Sequence, residues 1–204
     1  MTTTSGHISV GLGTDALFVL VLFLMKGFLV ADRGKVFGIG LGRTGTRSFT
    51  EAMKMLGYSP VVHNPGTYTD ILEANVEAEG AVLNHWRALM VLYPDAKFVV
   101  TLRDSVDDWI ESSRRAMEKY PLSRFEGTPQ MALAVRNRVH RWGTTEFDKT
   151  KLLSHYFWYY GEVMMAFRSQ RHRMLQYYAG TGWASLCEFL EQPVPEEDYP
   201  SVRD

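Results

Sequence analysis

The segment Gly38-Ile39-Gly40-Leu41-Gly42-Arg43-Thr44-Gly45-Thr46-Arg47-Ser48 gathers glycines, two arginines and three hydroxyl residues between an apolar run and a helix-like pattern. The run before it, Lys35 to Gly40, reads as a short buried strand entering a turn. The stretch after it, Ser48 to Leu56, spaces Phe49, Met53 and Leu56 as a helix does, and Gly57 supplies the stop. A strand, a glycine-rich turn and a helix N-terminus together form a phosphate cradle. Glycines let the backbone approach oxyanions, and the first-turn N–H groups point at negative charge.

Three readings of this loop compete. Gly40-x-Gly42-x-x-Gly45 matches a dinucleotide fingerprint. That fingerprint wants an acid at the end of the second strand, and Val62-His63-Asn64 stands there instead. Gly40-x4-Gly45 matches the glycine spacing of a triphosphate loop, but Thr46 and Arg47 replace the expected Lys and Ser or Thr. The third reading is a phosphate-bearing donor held without metal. Arg43 and Arg47 bring fixed charge, Thr44, Thr46 and Ser48 bring hydroxyls, and Arg103 reaches in from the end of a neighbouring strand.

Outward from the loop, strands and helices alternate. Pro60 to His63 reads as a second strand, and Asn64-Pro65-Gly66 as a turn. Tyr68 to Ala78 looks helical and acidic. Val82 to Leu92 is amphipathic, with Leu83, Trp86, Leu89 and Met90 on one side. Lys97 to Leu102 is a continuous β-branched and aromatic run typical of a central parallel strand. Ser105 to Tyr120, Gly127 to Arg141, Leu152 to Arg168 and Trp183 to Leu190 read as helices. Met174 to Tyr178 reads as a fourth strand. This alternation predicts an α/β fold around a parallel sheet. Arg136, Arg138 and Arg141 form either a solvated face or the edge of an anion site. The aromatic run Tyr156 to Tyr160 reads as core and cleft wall, and His85 as a structural residue.

The loop Arg43-Thr44-Gly45-Thr46-Arg47 resembles the 5′-phosphosulfate loop of sulfotransferases that use 3′-phosphoadenosine-5′-phosphosulfate (PAPS), in its Arg-Thr-Gly-Thr version. Tyr93-Pro94-Asp95-Ala96-Lys97-Phe98-Val99-Val100-Thr101-Leu102-Arg103-Asp104 is similar to that family's strand leading to the 3′-phosphate arginine. The family then has a serine on the following helix. Glu111 occupies its usual place, and Trp109 also stands one position late, so a one-residue insertion points to Ser112. Ala179-Gly180-Thr181-Gly182-Trp183, Leu186-Cys187 and Pro193-Val194-Pro195 resemble the closing helix and tail. The resemblance spans roughly Lys35 to Pro200.

It implies a three-layer fold like that of the P-loop nucleoside triphosphate hydrolases, with a central parallel sheet flanked by helices. It also implies metal-independent transfer of a sulfuryl group from PAPS to a hydroxyl or amine of a small-molecule or glycan acceptor. Arg43 would stabilise the leaving group. Thr44, Gly45, Thr46, Arg47 and Ser48 would hold the 5′-phosphate, and Arg103 with Ser112 the 3′-phosphate. Glu79 and His63 are the two candidates for the base. The alternatives are a non-catalytic nucleotide-binding member of the fold and, behind it, a P-loop kinase or triphosphatase.

Composition bounds these readings. The 204 residues are 46% apolar and 22% charged, enough for a sizeable core. The net charge of −1 gives no field for a nucleic-acid backbone, so any anion site is built locally. Arginine, suited to bidentate phosphate contacts, supplies 15 of the 22 cations. The single cysteine, Cys187, excludes an intrachain disulfide, reads as a buried helix residue and fits a reducing, cytoplasmic setting. Residues 1–34 read as an extension to a domain over 35–204. Its apolar run from Ala16 to Met25 is 10 residues long, against the roughly 20 that a bilayer demands. Residues 16–31 are nonetheless where the chain would touch or anchor to a membrane.

Overall fold

The computed structural model describes residues 34–64, 71 and 73–202. The apolar extension and the Pro65-Gly66 part of the turn lie outside these residues. Five strands form one sheet: β1 (Val36–Gly38), β2 (Val61–His63), β3 (Val76–Ala78), β4 (Lys97–Leu102) and β5 (Met174–Tyr178). Every pairing is parallel, and the order is β2-β3-β1-β4-β5. The helices are α1 (Thr46–Met55), α2 (Ala81–Leu92), α3 (Val106–Lys119), α4 (Met131–Trp142), α5 (Lys149–Ala166) and α6 (Ala184–Leu190).

Side-chain alternation along β4 builds the three layers. Phe98, Val100 and Leu102 enter one core with Trp86 and Leu89 of α2, Trp109 of α3 and Val163 of α5. Val99 enters the opposite core with Phe49 and Met53 of α1 and Leu186 and Cys187 of α6. The strand predicted over Lys97 to Leu102 is observed with those bounds. Ser105 caps α3 by accepting a 3.0 Å hydrogen bond from the Asp108 N–H, and Asp107 and Asp108 favour that positive end. Cys187 is buried on α6, as its sequence context indicates.

One element differs from the sequence expectation. Val76–Ala78, read as the end of an acidic helix, is a buried strand between β1 and β2. Glu77 disguises it. Its carboxylate is fully buried, 3.6 Å from Lys35 Nζ, which itself donates to the carbonyls of Ile71 and Ala74. A buried acid with a partner distant in sequence leaves no apolar signature. The sheet therefore has five strands rather than four, and Met174–Tyr178 is the fifth. Helix starts also move by a few residues: α1 begins at Thr46, where the glycine turn ends, rather than at Ser48. Among the described residues, no helix is long and apolar enough to cross a membrane.

Candidate active site

The loop joining β1 to α1 rises from the carboxyl edge of the sheet, and its backbone is fixed from below. Tyr159 Oη donates to the Ile39 carbonyl at 2.8 Å, and Tyr160 Oη accepts from the Leu41 N–H and donates to the Thr101 carbonyl, each at 3.1 Å. Trp109 Nε1 donates to the Gly42 carbonyl at 3.0 Å. The glycines are forced by proximity. A Cβ on Gly40 would stand 1.9 Å from Thr101 Oγ1, and one on Gly42 would stand 2.5 Å from Glu79 Oε1. Gly45 takes φ 91 at the N-cap of α1, and no side-chain hydrogen bond closes that helix end.

Arg43 sits at φ 74, a left-handed conformation that costs an ordinary residue on the order of 1–3 kcal/mol and persists where surroundings hold it. Here Arg103 Nε donates to the Arg43 carbonyl at 2.6 Å, and Arg43 Nε donates to Ser112 Oγ at 3.2 Å. Arg103 Nη2 also donates to Ser112 Oγ at 3.2 Å. Two cations from different elements thus converge on one buried hydroxyl. Burial first, then the charge of Arg103, pulls the Arg43 guanidinium below its ordinary value. Arginine still stays protonated under such pressure.

Across the cleft, His63 ends β2 and Glu79 follows β3. Glu79 also lies in the left-handed region, at φ 63. Its Oε2 is 3.0 Å from His63 Nε2, and Thr46 Oγ1 is 3.1 Å from the same nitrogen. Oε1 faces Arg141 Nε at 3.5 Å. Burial pushes the Glu79 carboxyl upward, but Arg141 first, then His63 and Thr46, outweigh it, and the group lies below its usual range. Glu79 is therefore an ionised, weakly basic carboxylate. Nε2 is thus the ring nitrogen of His63 that Glu79 and Thr46 engage.

A cavity of about 590 Å³ joins these groups. Arg43, Gly45, Thr46, Arg47, Arg103 and Ser112 line it, together with His63 and Glu79. Thr44 and Ser48 belong to the loop but turn their hydroxyls elsewhere. Thr44 Oγ1 bonds the Leu41 carbonyl and Thr101 Oγ1, and Ser48 Oγ accepts from the Val202 N–H of the C-terminal tail. Glu111 points away and pairs with Arg114, while Ser113 is buried without a partner for its hydroxyl.

The arginines of α4 divide. Arg138 lines the cleft but its guanidinium donates to the carbonyls of Met117, Tyr120 and Thr145, Arg141 enters the cleft beside Glu79, and Arg136 does not line it. Within the aromatic run, Tyr159 and Tyr160 are buried, whereas Phe157 and Trp158 are exposed, and none of the run lines this cleft. His85 lies at a second cavity bounded by α2, α4 and α5. The part of the site least visible in sequence is Arg141, whose only signal was membership of a basic cluster. Among the described residues, no group of three or more His, Cys, Asp or Glu side chains could hold a metal ion.

In a dinucleotide fold the second strand lies beside the first. Here β3 takes that position, so the strand order speaks against the dinucleotide reading and leaves an α/β protein with a glycine loop beside a cationic cleft. A family model described as a sulfotransferase domain matches residues 35–78 and 70–204, and the chain belongs to that family. It is also similar to "Ava biosynthesis cluster protein M" of Aspergillus versicolor, with 24% identity in an alignment that covers 82% of this chain and 80% of that one.

Proposed function

We propose that the protein transfers a sulfuryl group from PAPS to a hydroxyl or amine acceptor. The observation that carries this is the convergence of Arg43 and Arg103 on Ser112 beside the glycine loop, opposite the His63–Glu79 pair. The residues present fit a doubly phosphorylated donor. Gly45 turns the loop into α1 at φ 91, and the open N-terminus of that helix attracts an anion. Arg103 and Ser112 would hold the 3′-phosphate. The first turn of α1, with Thr46 and Arg47, would hold the 5′-phosphate. Thr44 and Ser48 would contribute through backbone N–H groups.

In the reaction, a bond forms from the acceptor oxygen or nitrogen to sulfur as the bond from sulfur to the bridging phosphate oxygen breaks. Arg43 neutralises the charge that gathers on the departing phosphate. His63 takes the acceptor proton at Nδ1, and Glu79 fixes the ring and stabilises the resulting imidazolium. The base is thus a pair, with His63 as the acceptor of the proton and Glu79 as its support.

Calorimetric titration with 3′-phosphoadenosine-5′-phosphate tests the donor half. Binding is expected, and Arg103→Ala should weaken it by about 1.5–3 kcal/mol through loss of a charged hydrogen bond. Absence of heat at high micromolar ligand would overturn the reading. Turnover of PAPS across phenols, alcohols and amines tests the transfer half, and binding without turnover would favour a non-catalytic nucleotide-binding module.

A further inference from the structure

Arg141 stands in the last turn of α4, and its guanidinium is directed by three contacts. Nε faces Glu79 Oε1 at 3.5 Å, Nη2 donates to Asn64 Oδ1 at 3.4 Å, and the cation lies 5.5 Å from the centre of the Trp142 ring. Arg138, one turn earlier, ties the same helix to carbonyls at the end of α3. His63 meets the opposite carboxylate oxygen of Glu79, and Thr46 of α1 also bonds this side chain. Each oxygen of this buried carboxylate therefore has its own partner, from β2 on one side and from α4 on the other.

We propose that Arg141 is a positioning residue that acts through Glu79, holding the carboxylate ionised and turned so that Oε2 meets His63. The physical need is clear from the burial of Glu79. A carboxylate removed from water reverts to its neutral form unless cations or donors hold the charged one. The groups that face it are Arg141 from α4, His63 from β2 and Thr46 from α1, with Arg43 further along the loop. The charge of Arg141 is the largest single contribution that keeps it charged, followed by the hydrogen bond and the charge of His63. A protonated Glu79 could not support an imidazolium at His63, and its rotamer would no longer be set by two opposed partners.

The catalytic half of this inference rests on the sulfuryl-transfer reading, and the electrostatic half does not. The test follows the Glu79 side-chain carboxyl by carbon-detected NMR in the full chain, assigned by loss of its signal in Glu79→Gln. Arg141→Met should raise its titration midpoint by about one unit, and Arg141→Lys should restore most of the shift. If Arg141→Met does not fold, Arg141→Gln and Arg141→Lys give the same comparison. An unmoved midpoint overturns the proposal.

In turnover assays, Arg141→Met should lower kcat and move the acid limb of the pH profile to higher pH, with affinity for 3′-phosphoadenosine-5′-phosphate little changed. A fall in that affinity matching the fall in kcat would make Arg141 a donor contact and also overturn the proposal. If no acceptor is turned over, the sulfuryl-transfer reading fails while the carboxyl titration still decides the link between Arg141 and Glu79.

Discussion

Replacing Gly42 by alanine adds a single methyl group at the point where the loop, Glu79 and Arg141 meet. Gly42 is not among the positive-φ residues, so alanine takes its backbone without conformational strain and the effect is one of contact. The new Cβ would stand 2.5 Å from Glu79 Oε1, 2.6 Å from Arg141 Cδ and 2.8 Å from Arg141 Nε. The loop has little freedom to retreat. Its carbonyl at Gly42 is held by Trp109, the Leu41 N–H by Tyr160 and the Arg43 carbonyl by Arg103. The side chains of Glu79 and Arg141 must therefore give way, by about 0.9 Å to regain the 3.4 Å at which ordinary contact begins. A displacement of that size takes Oε2 out of its 3.0 Å contact with His63.

Overpacking of this kind costs about 1–3 kcal/mol. For a domain of this size that lowers Tm by roughly 2–4 °C per kcal/mol. A misplacement near 1 Å in a catalytic pair costs on the order of 100-fold in turnover. The groups proposed to hold the donor, Arg43, Arg103 and Ser112, keep their mutual contacts. Gly42→Ala should therefore lower kcat sharply, lower Tm modestly and leave the Kd for 3′-phosphoadenosine-5′-phosphate close to that of the parent. The variant is assayed by thermal melting, calorimetry and PAPS turnover side by side. Unchanged turnover at full occupancy would refute the claim that Glu79 geometry matters. A loss of donor-product affinity in step with kcat would show that the loop itself had moved.

Ser112→Ala should weaken binding of 3′-phosphoadenosine-5′-phosphate by about 1–2 kcal/mol, because Arg43 and Arg103 lose their shared acceptor. Ser113→Ala, which removes a buried hydroxyl without a partner, should leave calorimetric affinity unaltered, and the reverse pattern would reassign the serine. Tyr160→Phe leaves the buried Leu41 N–H without its acceptor. It should cost about 1–3 kcal/mol in a denaturant titration, and no loss would mean that the loop finds another acceptor. Burial raises the Glu77 carboxyl well above its usual range, against the opposing charge of Lys35. A carboxyl raised in the folded state binds more protons there than in the unfolded chain, so its contribution to stability falls as pH rises above the ordinary carboxylate range. Glu77→Gln should therefore gain Tm over the parent progressively from acid to neutral pH, and parallel melting curves would reject that sign.

Fold and site were not equally legible in the sequence. The strand from Lys97 to Leu102 was readable because both of its faces are buried from Phe98 onward, which leaves a continuous β-branched and aromatic run. The glycine loop was readable because close backbone approach admits few residue types. Val76–Ala78 was not, because its central residue is a buried acid that faces a lysine 42 positions away. That miss hid the strand behind which Glu79 stands, although Glu79 and His63 were each readable as candidate bases. Their contact is a product of the pairing of β2 with β3, in which His63 is level with Ala78. Arg138 and Arg141 illustrate the same limit. They are three positions apart on one helix and both line the cleft, yet one is bound to backbone carbonyls and the other faces Glu79.

Glu79 is the lone acid among the described residues that line a cleft otherwise furnished with arginines. In an anion site a free carboxylate works against the ligand, since like charges a few ångströms apart repel strongly in a partly desolvated space. Its retention there requires both a task and a compensation. Arg141 supplies the compensation, since the Glu79–Arg141 pair adds no net charge to the cleft and leaves its positive character to the other arginines, Arg43, Arg47 and Arg103 among them. The task is legible in the second oxygen, which touches the histidine. A carboxylate that served only to balance the arginines would have no need of left-handed backbone, nor of a glycine opposite to make room for it. On the proposed reading, charge is thus divided by function within a chain whose net charge is only −1: cations toward the donor, and one neutralised acid in support of His63.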